Sequence, residues 1–184
     1  MVKTGHKVIS LFLVNLLLIL SLVMCGQEAP AAEHLKRGNE LSRDGKFEEA
    51  VAEYEQALEI ESENVDLMSN LGVAYYNIGQ LDKAIDHYSR AIEIAPNDAD
   101  IRSNLAAAYV QLEQLDNALD QYQKAVELNP SLAEAFFGLG VVYALMGRKD
   151  DAIQAFEKFQ ELDSSEDSQA TNDAKEYLKL LRGQ

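Results

Sequence analysis

The side chains of this 184-residue chain best suited to hold a metal or act as a nucleophile or base are three histidines and one cysteine, and they stand far apart. His6 and Cys25 belong to an apolar N-terminal run, His34 to the first stretch with helical periodicity, and His87 to a later one. No two histidines, and no histidine with the cysteine, have metal-ligand spacing. Acids are plentiful, 31 Asp and Glu in all, but on helix faces they are solvated charges rather than a paired acid and base. The expectation is therefore no enzymatic activity, no cofactor, no metal and no small-molecule substrate. Cys25 has no second cysteine to pair with, so a disulfide within the chain is excluded. Its remaining chemistry is modification of the thiol.

The formal net charge is −15, and Lys3 and Lys7 are among the 16 basic residues, so the rest of the chain sets 14 cations against 31 acids. So acidic a body repels phosphate backbones, and no basic stripe interleaved with aromatics offsets this; no nucleic acid is expected as a partner. The charge can serve as a solvated outer surface or can select a basic partner.

Around Cys25, residues 1–25 combine a short basic start, a nearly unbroken apolar run from Val8 to Met24, and no acid before Glu28. That is the pattern of an export signal, and the positive start keeps the N-terminus cytoplasmic while the rest crosses the membrane. "LVMC" resembles the bacterial lipoprotein signal: Leu22 fits the position three residues before the cysteine, while Met24 departs from the usual small residue. Three outcomes stay open, namely lipidation of Cys25, an uncleaved apolar anchor, and a cleaved signal releasing a soluble protein. Acyl chains on Cys25 would contribute about 0.8 kcal/mol per buried methylene, enough for stable attachment. The expected location is exported and anchored to a bacterial cell-envelope membrane, facing the periplasm; by analogy, the glycine after Cys25 is compatible with onward transport to an outer membrane.

The elements beyond residue 25 are set by a repeat. Gly38, Gly72, Ala106 and Gly140 recur at intervals of 34 residues, as do Ala50, Ala84, Ala118 and Ala152, and Tyr54, Tyr88, Tyr122 and Phe156. Gly72 and Tyr75 share one helix face, and Ala84, Tyr88 and Ala91 share another, so each helix carries an apolar stripe. Small residues allow close approach while rings fill the gap, and Gly45, Gly79 and Gly147 supply the turns. Period and positions resemble the tetratricopeptide repeat. The resemblance implies an all-α fold, an α-solenoid of four helix-turn-helix units in a right-handed superhelix. The expected division is 1–25 signal peptide or membrane anchor, 26–30 linker, four repeats at 31–64, 65–98, 99–132 and 133–166, and a capping helix in 167–184.

Two departures carry structural consequences. Glu113 stands where the other turns have glycine, so that turn either has another shape or costs about 1 kcal/mol. Phe159 replaces the alanine found at Ala57, Ala91 and Ala125 and should press on the segment after the fourth copy. That segment reads as half a repeat, with Ala170, Ala174, Tyr177, Leu178 and Leu181 on one helix face and a polar back, as a terminal cap requires.

In the family it resembles, the first helix of each unit lines a concave groove, and this implies a set of groove residues here. Copy one offers Leu35, Lys36, Asn39, Ser42 and Arg43; copy two Asp66, Ser69, Asn70, Val73, Tyr76 and Asn77; copy three Asp100, Ser103, Asn104, Ala107, Val110 and Gln111; copy four Phe137, Gly138, Val141, Ala144 and Leu145. The groove runs from mildly basic through polar to apolar, and would suit an extended peptide or a helix. Asn70 and Asn104 can instead bond within the stack, and Phe137, Val141 and Leu145 can instead be covered by the cap. Some relatives clamp a C-terminal carboxylate; here Leu35, Asp100 and Asn104 replace the expected cations, so that mode is not expected. The functional expectation is a non-catalytic interaction scaffold, tethered to the membrane through its N-terminus, that binds a protein or peptide partner to assemble or stabilise an envelope complex. A soluble exported chaperone-like factor and an accessory subunit of an enzyme complex are the alternatives.

Overall fold

The computed structural model describes residues 30–163, 165 and 168–183. Among them are nine α-helices and no strand: α1 (Pro30–Arg43), α2 (Phe47–Ile60), α3 (Val65–Asn77), α4 (Leu81–Ile94), α5 (Ala99–Gln111), α6 (Leu115–Leu128), α7 (Ala133–Leu145), α8 (Lys149–Leu162) and α9 (Gln169–Arg182). Cys25, the export-signal residues and the linker to Ala29 lie outside the described residues. None of the described helices is long and apolar enough to cross a membrane.

Local chemistry sets the helix ends. The side chains of Asn64, Asp98 and Ser168 accept hydrogen bonds from the backbone N–H groups of Leu67, Ile101 and Thr171, starting α3, α5 and α9 and satisfying donors that the helix leaves unpaired. Between the two helices of each copy the same tight turn recurs. At Gly79 the N–H donates to the Tyr76 carbonyl at 3.0 Å and the next N–H donates to the Tyr75 carbonyl at 2.9 Å, with Gly79 at φ 75. Glu113 and Gln114 make the same pair of bonds, to Val110 and Tyr109, both at 2.9 Å, and Glu113 is held at φ 58. The turn therefore keeps its shape and Glu113 bears the left-handed backbone. That conformation costs a residue with a Cβ about 1–2 kcal/mol.

Rings pressed onto glycines interlock the helices of a copy. A Cβ at Gly38 would lie 2.5 Å from Tyr54, one at Gly72 2.4 Å from Tyr88, and one at Gly140 2.6 Å from Phe156. Those three rings are essentially fully buried, and burial on this scale stabilises by about 2–3 kcal/mol per side chain. Copy three breaks the pattern because Ala106, with its methyl group, occupies the glycine position. Tyr122 lies over Gly138 of the next copy, its Cζ 2.2 Å from where a Cβ would stand. This ring thus bridges two copies, since it is also buried in one cluster with Ala106, Ala118 and Ala125 of its own.

Successive helices pack side by side in chain order. Contacts also join α1 to α3, α3 to α5 and α5 to α7, whereas no comparable set links the second helices of the copies. The first helices therefore converge on one side of the array, which is its inner face. At the far end α9 takes the place of a fifth first helix: Ala174 and Leu178 are buried with Phe156 and Phe159, and Tyr177 stacks on Phe156 with centroids 4.9 Å apart. Phe159 is accommodated by this cap, as its bulk requires. Asp163 holds the connection by accepting hydrogen bonds from the Ser165 hydroxyl, the Thr171 hydroxyl and the Ser165 N–H, which depress its carboxyl pKa to about 2.

Candidate functional site: the inner face

The inner face is built from rigid helices packed on neighbours, so its side chains are positioned by the stack. At the N-terminal end Lys36 and Arg43 are exposed on α1. Their neighbour Arg37 is committed to Glu53 at 3.1 Å, beside His34, whose Nδ1 lies 2.7 Å from the same carboxylate. His34 thus serves the contact between α1 and α2.

Asn39 and Asn70 are linked to one another. The Asn39 side-chain oxygen accepts from the Tyr54 hydroxyl at 2.7 Å and from the Asn70 amide at 3.3 Å. This chain ties copy one to copy two, so Asn70 holds the stack as well as facing the groove. Asn77 donates to the Val73 carbonyl at 2.8 Å, and Ser69 is half-buried. Tyr76 accepts from the Gln111 amide at 3.3 Å, joining α3 to α5 across the face.

Copy three differs. Ser103 is buried and faces the packing rather than the open groove. Asn104 is half-buried and its side chain has no hydrogen-bond partner among the described residues. An amide with two donors and two lone pairs left on such a surface is suited to an extended backbone, which offers both groups. Next along the face, the space over Gly138 is filled by Tyr122 from the preceding copy. Burial raises the pKa of that hydroxyl, and Tyr76 nearby adds to the rise.

At the C-terminal end Phe137 packs edge-on against Phe156 and Phe159, at centroid distances of 5.8 and 5.3 Å. Val141 is half-buried beside it, while Leu145 is 59% exposed. The cap covers this region only in part: Asp173, Glu176, Tyr177 and Leu180 face Phe137 and Val141 across an open cavity. These four residues were not expected at the site. Tyr177 belongs to the apolar face expected of the cap, whereas Asp173, Glu176 and Leu180 lie on the flank of α9 beside it, and a leucine at 180 outside that stripe is the available signal. Among the described residues, no three of His, Cys, Asp and Glu come together as a metal site.

His87 lies away from this face. Its ring stacks on Tyr75 at 5.4 Å, its Nδ1 is buried without a partner, and burial lowers its pKa.

Four family models match the chain: a TPR repeat over residues 106–147, and tetratricopeptide repeats over 35–99, 79–120 and 133–165. No curated protein matches it. Among solved structures, the MamA protein superposes with a TM-score of 0.72 at 25% identity, covering 84% of this chain and 81% of MamA. YrrB, described as a TPR protein with an unusual peptide-binding site, gives 0.66 at 29% identity over 82% of this chain and 75% of its own. TTC0263, a thermophilic TPR protein from Thermus thermophilus, gives 0.70 at 22% identity, covering 82% and 80%, and shows the fold alone.

Proposed function

Since the chain belongs to the tetratricopeptide-repeat family, with matches running from residue 35 to residue 165, we propose that it is a non-catalytic scaffold that captures a partner segment on the inner face while its N-terminus tethers it to the cell-envelope membrane. The observation that carries this reading is Asn104, an amide without a hydrogen-bond partner among the described residues, standing between the Tyr76–Gln111 link and the Phe137 region. The peptide-binding site of YrrB supports it by likeness. An extended segment would hydrogen-bond to Asn104 through its backbone and place an apolar side chain near Phe137. Asn39 and Asn70 are already bonded to each other and contribute less. Lys36, Arg43, Ser69, Asn77, Val141 and Leu145 border the same path.

Support for the tether lies in the basic start, the apolar run and Cys25 preceded by Leu22. With the thiol acylated, the array stands close to the bilayer and presents its groove to envelope proteins. Two substitutions test the halves separately. Asn104→Ala should weaken partner capture in cells about tenfold without changing helicity; undiminished capture removes the inner face from the account. Cys25→Ala should move the protein from the membrane fraction to the soluble one and abolish fatty-acid labelling. Wild-type protein that fractionates with membranes yet takes up no label refutes lipidation.

A further inference from the structure

Where α9 closes the array it leaves the inner face open. A cavity of about 530 Å³ stands between α7 and α9, lined by Phe137 and Val141 on one side and by Asp173, Glu176, Tyr177 and Leu180 on the other. That volume suits large side chains. Its apolar walls are held in place, because Phe137 is wedged against Phe156 and Phe159 and Tyr177 is stacked on Phe156. Leu180 is 75% exposed. A cap that served only solubility would present a polar residue there.

The charge on the rim has one sign. Asp173 and Glu176 lie three residues apart on α9, hence about 4.5 Å along its axis. Asp173 accepts one hydrogen bond, from Gln169 at 2.7 Å, and neither acid forms an ion pair among the described residues. Arg182 is committed to Glu157. A net charge of −15 extends the bias, drawing cationic segments in and repelling anionic ones.

The geometry points to a docking site for a basic amphipathic segment of another protein, with a large apolar side chain seated between Phe137, Val141 and Tyr177 and a Lys or Arg about one helical turn away meeting Asp173 and Glu176. This inference rests on the scaffold reading and names the chemistry of the partner. It also gives part of the acidic surface a recognition role.

The test is fluorescence anisotropy with the full-length chain in zwitterionic nanodiscs, with empty discs as the control. Three labelled, alanine-based 14-residue probes are compared: two leucines with three lysines, two leucines with three glutamates, and two serines with three lysines. The leucine–lysine probe should bind, more tightly at low salt, and the other two at least about tenfold more weakly. Asp173→Asn combined with Glu176→Gln should raise its Kd by about five- to tenfold and flatten the salt dependence, and Leu180→Ser should raise it by a similar factor. All three positions lie outside the buried core, so helicity should not change.

An unchanged Kd in both variants overturns the proposal, as does equal binding of the glutamate probe. Self-association that Leu180→Ser abolishes would assign the surface to a second copy instead. If Asn104→Ala abolishes partner capture while the α9 variants leave probe binding intact, the scaffold reading stands and this site falls. Probe binding that depends on α9 but not on Asn104 leaves this site standing by itself.

Discussion

Gly138→Asn is the substitution whose outcome most sharply separates repeat homology from packing. Copies two and three carry asparagine at this position, as Asn70 and Asn104, so a repeat-based reading makes the change harmless. The structure predicts damage. A Cβ at residue 138 would stand 2.2 Å from Tyr122 Cζ and 2.5 Å from its Cε1 and hydroxyl oxygen. Tyr122 is only 6% exposed, and it cannot retreat to residue 106, because a Cβ at the equivalent Gly72 would meet Tyr88 at 2.4 Å. Overpacking of this kind costs about 1–3 kcal/mol, and the severity of the clash puts Gly138→Asn near the upper end, about 2–3 kcal/mol. For a chain of this size each kcal/mol moves the melting temperature by about 2–4 °C, giving a fall of roughly 4–12 °C in circular dichroism melts. Adding Ala106→Gly opens the vacant position to the ring, so the double variant should recover part of the loss, a non-additive coupling of about 1 kcal/mol. Gly138→Asn melting within about 2 °C of the parent, or Ala106→Gly bringing further loss without recovery, would refute the account of copy three.

Two single residues give further tests. Glu113→Gly relieves a left-handed backbone worth about 1–2 kcal/mol and gives back about 0.4–1 kcal/mol through the unfolded chain; the net gain of about 0–1.6 kcal/mol should raise the melting temperature by roughly 0–6 °C, and a fall would mean that the turn is unstrained. Asp163 has its pKa depressed from 3.8 to about 2 by the hydroxyls and N–H groups it accepts from. A carboxyl depressed on folding stabilises the fold above its unfolded pKa and loses that contribution as pH falls through the folded value. Protection factors of the α9 amides, taken relative to intrinsic exchange at each pH, should therefore fall as the pH drops from about 4 to about 2, and Asp163→Asn should flatten this dependence.

Much of this architecture was legible in residue spacing. Gly72 with Tyr88, and Gly140 with Phe156, recur in different copies and interlock alike, because a missing side chain and a ring sixteen residues later meet across a helix pair. The half repeat at the C-terminus was legible for the same reason: Tyr177 falls where Tyr143 falls, and it stacks on Phe156. Tyr122 was not. Periodicity assigns a ring to its own copy, and only the methyl of Ala106 together with the bare backbone of Gly138 brings it over the next as well. Glu113 left two shapes open, since residue type fixes a strain energy but not whether surrounding hydrogen bonds compel it. The groove was only partly visible. Residue positions placed Asn39 and Asn70 on one face but could not show that they bond to each other. The α9 contribution is hidden in the sequence because periodicity marks only the buried stripe of that helix, while Asp173, Glu176 and Leu180 lie on its flank.

The proposed partner is held on the side where the first helices converge. A photo-crosslinking residue in place of Tyr76, on the inner face, and another in place of Ile94, 47% exposed at the end of α4, give the direct comparison in cells. A discrete adduct from position 76 with none from position 94, weakened when Asn104→Ala is added, is the predicted result. Adducts from position 94 alone, or equally from both, would contradict it.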